Sequence, residues 1–110
     1  MLEYLLQKPT VEKEKYPLLV LMHGYGSNEQ DLFSFASELP KDAYVLSLQA
    51  PHDLQYGSYA WYAIYFDAGP NKFSDIPQAI ESRETIKSFV EEFCKNHPID
   101  TKQITLIGFS

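Results

Sequence analysis

Residues 18–22 read LLVLM, an unbroken apolar run with no polar alternation. A strand with one solvated face alternates apolar and polar residues, because successive side chains point to opposite faces of the sheet. A run that is apolar at every position suits a strand covered on both faces, the signature of a parallel sheet layered between helices. Residues 43–51 (AYVLSLQAP) form another strand-like run, closed by Pro51, and 103–110 (QITLIGFS) a last buried strand running into a turn. A shorter one, 2–6 (LEYLL), suits an edge strand. The EKEK that follows it reads as a solvated turn, and Pro17 opens the next element.

Between these runs the period changes to that of a helix. In 31–39 (DLFSFASEL), Leu32, Phe35, Ala36 and Leu39 recur at helical spacing, preceded by Ser27 and Asn28 as N-cap candidates and followed by Pro40. The strongest helix spans 77–96, with Ile80, Ile86, Phe89, Val90, Phe93 and Cys94 as its apolar stripe; Pro98 ends it. The order strand, loop, helix, strand, long loop, helix, strand predicts an open, mostly parallel sheet with helices on both faces. In such sheets ligands meet the carboxyl ends of the strands. Two of those ends carry unusual residues, HGYGS at 23–27 and GFS at 108–110.

A chain of 110 residues builds one small domain, and 45% hydrophobic against 22% charged residues supports a packed core. The net charge of −6 argues against phosphate backbones, so nucleic acid is not an expected partner. The single cysteine, Cys94, forms no internal disulfide and suits a reducing compartment. The N-terminal segment has Glu3 and Lys8 within and beside its apolar run and no small-residue cleavage site. It reads as neither a signal peptide nor a membrane span, which leaves the cytoplasm as the expected location, without stable membrane insertion.

A serine hydroxyl becomes a useful nucleophile only beside a base, and the oxyanion it creates needs fixed donors. In the nucleophile elbow, G-x-S-x-G, a strand ends at the serine and turns sharply into a helix, so the neighbours of the serine must be small. Gly108, Phe109 and Ser110 supply its first three positions. Taken alone, the same residues also describe a simple turn closing a strand. In that fold one oxyanion donor is a backbone N–H from a loop after an earlier strand. HGYGS stands where that loop belongs, with Gly24 and Gly26 able to take positive φ. An ordinary glycine-rich strand-to-helix turn reads alike; the two features in this order favour the enzyme.

His23 is read as a loop-organising side chain bonded to nearby backbone, and His52 and His97 as loop residues. Asp31 reads as a first-turn carboxylate favoured by the helix dipole, Asp100 as the closure of a turn. Cys94 reads as a buried structural thiol. The aromatic stretch 56–66 (YGSYAWYAIYF) suits both ring packing and the wall of an acyl-chain pocket. No Cys/His spacing suggests a metal, and no cofactor is expected.

The segments LVLMHGYGSNEQDLFSFASELP, LQAPHDL, GSYAWYAIYFD and IDTKQITLIGFS span nearly the whole chain in family order. With them the sequence resembles the α/β-hydrolase carboxylesterases and lysophospholipases related to acyl-protein thioesterases. The resemblance implies a three-layer α/β-hydrolase sandwich, with residues 1–110 as the N-terminal part of a single domain. It implies Ser110 as the nucleophile, the Tyr25 N–H as an oxyanion donor, and Gly24 and Trp61 at the substrate pocket. The triad order in this fold is Ser, then Asp or Glu, then His. His23, His52 and His97 all precede Ser110, so the acid and base are expected in a C-terminal half that this function requires. The expected activity is hydrolysis of small-molecule carboxylic esters or thioesters through an acyl-enzyme on Ser110. The alternative is a non-catalytic half-domain acting as an interaction module. A dienelactone-hydrolase-like enzyme shares the fold but is disfavoured by serine in place of cysteine at the elbow.

Overall fold

The computed structural model describes residues 2–62, 64–66, 72–74 and 76–108. Its main sheet has four strands: β1 (Tyr4–Gln7), β2 (Tyr16–Met22), β3 (Tyr44–Leu48) and, last in the chain, β8 (Ile99–Gly108). Their spatial order is β1-β3-β2-β8. β2 runs parallel to both β3 and β8, while β1 pairs antiparallel with β3 at the edge. The predicted run 18–22 therefore lies in the interior of the sheet. β3 is buried at every position, as a strand covered on both faces must be.

The period of two divides those faces between the helices. The even-numbered Leu18, Val20, Tyr44, Leu46 and Leu48 form one cluster with Phe93, and Ile86, Phe89, Val90 and Cys94 pack against it. These last residues belong to α2 (Ile76–Asn96). The odd-numbered Leu21 and Val45 form a second cluster with Leu32 and Ala36 on the opposite face. Leu32 lies in α1 (Glu29–Phe33), Ala36 in the short 3-10 helical turn Ala36–Glu38.

The stretch 31–39 was expected to be one helix, and here the structure differs. The Ser34 hydroxyl donates back to the Asp31 carbonyl at 2.7 Å, and the Phe35 N–H takes the i−3 carbonyl of Leu32. This tighter bonding breaks the stretch in two and rotates Phe35 out to solvent. Ile80 also leaves its predicted stripe, at 47% exposed. Helical phase turns it away from Ile86, Phe89, Val90 and Phe93, whereas Ser82, 3% exposed and one turn before Ile86, falls on their face.

The aromatic stretch forms two small hairpins in place of a single strand or buried loop. β4 (His52–Gln55) pairs with β5 (Ser58–Ala60), and β6 (Ile64–Phe66) with β7 (Lys72–Ser74). The first hairpin turns on Tyr56 and Gly57 at φ +58° and +78°, the doubly left-handed pair that a two-residue type I′ turn demands.

β8 is the contrast to β2 and β3. Ile99 is buried and Ile104 and Ile107 pack inward, but Leu106 remains 56% exposed. β2 occupies one edge of β8, and among the described residues no strand pairs with the other.

Candidate active site

Parallel pairing fixes what stands beside what. Met22 and Gly108 are register partners at the carboxyl ends of β2 and β8. The turn that begins at His23 therefore leaves the sheet beside the strand end that Phe109 and Ser110 follow in sequence. Ser110, the predicted nucleophile, lies outside the described residues. The loop that follows β2 lies within them.

That loop is a tight turn. The Ser27 N–H donates to the Gly24 carbonyl at 3.1 Å, and Gly26 takes φ +81°. A type II turn requires a left-handed residue at its third position, which explains the glycine there. Gly24 does not share the positive φ anticipated for both glycines. The β4–β5 hairpin braces the turn. Gly26 N–H donates to the Tyr59 carbonyl at 3.0 Å, Tyr59 N–H to the Ser27 carbonyl at 2.9 Å, and the Asn28 side-chain amide to the Gly57 carbonyl at 2.9 Å. Asn28 is also the N-cap of α1, its side-chain oxygen accepting the Asp31 N–H at 2.9 Å. Asp31 sits in the first turn of α1, as expected, and accepts the Ser27 hydroxyl at 2.7 Å. Among the described residues, no acceptor is bonded to the Tyr25 N–H, although the amides on its C-terminal side are both engaged.

His23 is 1% exposed and both ring nitrogens are committed to backbone. Nε2 accepts the Ala50 N–H at 3.0 Å, which leaves Nδ1 to carry the proton and donate to the Gly24 carbonyl at 2.8 Å. The ring stacks on Trp61 at 5.5 Å, and the indole N–H donates to the His23 carbonyl at 2.8 Å. The Trp61 carbonyl in turn accepts the Ser82 hydroxyl. With its lone pair already accepting a hydrogen bond, His23 is not placed to take a proton from a serine. His97 is stacked on Phe93 at 3.8 Å with Nδ1 against the Phe93 carbonyl, at the far end of α2. His52 opens β4 instead of lying in a loop. Asp100 accepts the Lys102 N–H and the Gln103 amide at the start of β8.

A cavity of about 680 Å³ lies between α2 and the ends of β2 and β8, lined by Met22, His23, Trp61, Ile86 and Leu106 among others. Of the two residues expected at a substrate pocket, Trp61 lines this cavity and Gly24 does not. A groove of similar volume, about 720 Å³, follows the other flank of α2 against β1 and contains none of the predicted site residues. Burial pushes the Cys94 thiol up, and Lys13 beside Asp42, through a 2.8 Å ion-paired hydrogen bond, holds that carboxyl below its usual range.

Sequence reasoning missed Ser82 and the Ala50 amide. Ser82 had a signal: it is a polar residue in phase with Ile86, Phe89 and Phe93. Ala50 had none, because the N–H of any residue at that point would serve.

The sequence model of the phospholipase/carboxylesterase family matches residues 7–110. A search of curated proteins returned no match. Among solved structures, the chain is similar to the Bacillus cereus carboxylesterase, at 28% identity and a TM-score of 0.76, over 99% of this chain and 48% of that one. It is also similar to YahD, solved with malic acid, at 21% identity and a TM-score of 0.78, over 100% of this chain and 52% of that one. The chain thus spans about half the length of these structures. Among the described residues, no helix is long and apolar enough to cross a membrane.

Proposed function

Because this chain belongs to the phospholipase/carboxylesterase family and has its α/β-hydrolase fold, we propose that it is the N-terminal part of a cytoplasmic serine esterase domain. Its substrates are small carboxylic esters or thioesters. The reading is carried by one observation. Met22 and Gly108 pair in register, so the turn holding the Tyr25 N–H begins beside the strand end that lies two residues before Ser110 in sequence.

In the proposed reaction the Ser110 Oγ attacks the ester carbonyl carbon. Its proton passes to a histidine, which an acidic residue orients; both belong to chain beyond Ser110. The carbonyl oxygen becomes an oxyanion, and the Tyr25 N–H is one of the donors that hold it. Collapse expels the alcohol or thiol, protonated by the histidine, and leaves an acyl-serine. Water, deprotonated by the same histidine, then releases the acid and restores Ser110. The cavity beside Trp61 would take the acyl chain. The engaged nitrogens of His23 support an external base, because His23 cannot fill that role without losing the Ala50 contact.

The same reading assigns the exposed face of β8 to the rest of the domain. Leu106, an apolar side chain 56% exposed on a strand with one edge unpaired among the described residues, favours a covering element. The second reading, an interaction module without activity, gives that surface to another protein. The test is hydrolysis of p-nitrophenyl butyrate by the intact protein and by Ser110→Ala, with labelling by an alkyl fluorophosphonate. Turnover and labelling that both vanish in the variant support the esterase. Turnover that survives Ser110→Ala refutes it.

A further inference from the structure

We infer that His23 is a positioning residue: through Nδ1 it aims the Tyr25 N–H, and Trp61 and Ser82 hold it in place to do so. The inference rests on the oxyanion role proposed for Tyr25. It extends that role to side chains that touch neither substrate nor nucleophile.

The argument is one of peptide geometry. The Gly24 carbonyl and the Tyr25 N–H belong to the same planar trans peptide, so they point in opposite directions. Whatever fixes the carbonyl fixes the N–H. Two donors fix it, the Ser27 N–H at 3.1 Å and His23 Nδ1 at 2.8 Å. The first is internal to the turn and would rotate with it. The second is tied to the body of the fold at three points. Nε2 holds the Ala50 amide just past β3, the Trp61 indole N–H holds the His23 carbonyl, and Ser82 on α2 holds the Trp61 carbonyl. A connected path of hydrogen bonds thus runs from the middle layer and α2 to a single peptide group in the loop. An oxyanion donor contributes only if it is already aimed at the charge as it develops, so its orientation matters as much as its presence.

Two substitutions separate the two ends of the imidazole. The side-chain amide of asparagine lies close to the position of Nδ1, so His23→Asn keeps the donor to Gly24 and loses the acceptor for Ala50. The longer glutamine places its oxygen near Nε2, so His23→Gln keeps Ala50 and loses the donor to Gly24. Each removes one hydrogen bond, so a purely structural role predicts equal effects.

The experiment measures kcat and KM for p-nitrophenyl butyrate in the intact enzyme, together with the amide hydrogen-exchange rate of Tyr25 by NMR. His23→Gln should lower kcat by about a hundredfold, the lower end of what loss of an oxyanion donor costs, with KM little changed. His23→Asn should stay within about tenfold of the parent. Tyr25 exchange should change more in the glutamine variant than in the asparagine variant. Equal losses in the two variants, or a loss expressed in KM, overturns the inference. If the parent enzyme hydrolyses no ester, the proposed function fails on its own account. The exchange rates then decide the inference: unequal changes in the stated order support it, and equal changes overturn it.

Discussion

Alanine at Gly26 and alanine at Gly57 should cost nearly the same stability and very different amounts of activity. Both glycines are left-handed, at φ +81° and +78°, and a Cβ built on either meets nothing within 4 Å. The steric term with the surroundings is therefore absent, and only the backbone term remains. A side chain in this region costs about 1–2 kcal/mol. The unfolded chain, stiffened by the new Cβ, returns about 0.4–1 kcal/mol of that. The net is a loss of about 1 kcal/mol at each position, roughly a fivefold drop in the folding constant. Function separates the two sites. Gly26 is the third residue of the turn that holds the Tyr25 peptide, and relief of strain there by rotation moves the proposed donor. Gly57 lies at the tip of the β4–β5 hairpin, one hydrogen bond away through Asn28. Urea unfolding of both variants, with kcat for p-nitrophenyl butyrate, checks both halves. Gly26→Ala should lose at least tenfold in kcat, and Gly57→Ala less than threefold, against the hundred- to thousandfold that loss of a whole donor costs. A loss of several kcal/mol at either site, or equal losses of kcat, refutes the reasoning.

Other outcomes follow from the same geometry. Because the proposed donor at Tyr25 is backbone and its side chain is half exposed, Tyr25→Phe should leave kcat within about twofold, far short of the loss of a donor. Cys94 packs against the core cluster and its thiol is pushed up by burial, so iodoacetamide should alkylate it more slowly than a free cysteine at pH 8. The Asp42 carboxyl is lowered first by its hydrogen bond from Lys13 and then by that residue's charge. Any stabilisation from the pair is thus present above the ordinary aspartate range and disappears as pH falls through the lowered value. Lys13→Ala should return the Asp42 carbon resonances to an ordinary titration, with little change in stability because the pair is exposed.

Much of the sheet was legible in the sequence because burial on both faces leaves a direct mark on composition. Residues 18–22 and, Ser47 apart, 44–48 are apolar whichever face they point to. The length of α2 was legible from its period, and the family from a string of segments spanning nearly the whole chain. The site was legible in part. HGYG after one strand and GFS at the end of another marked the two strand ends of the proposed site. That these strand ends stand side by side follows from the register of β2 on β8, a property of two strands nearly ninety residues apart.

What local sequence could not decide was set by competition among contacts. Ser34 was free to continue a helix, but its hydroxyl took the Asp31 carbonyl and turned Phe35 outward. Ile80 was read into the apolar stripe of α2, but helical phase turns it outward and puts Ser82 on the buried face, where its hydroxyl donates to the Trp61 carbonyl. The state of His23 is the clearest case. The sequence placed an imidazole beside the loop and suggested backbone partners. Only the fold brought the Ala50 amide to Nε2, and that contact, made across twenty-seven residues, leaves the proton on Nδ1 facing Gly24. Sequence records which surfaces must leave water, since that preference belongs to each residue. Hydrogen-bond assignment belongs to pairs, and the pairs exist only once the chain has closed around them.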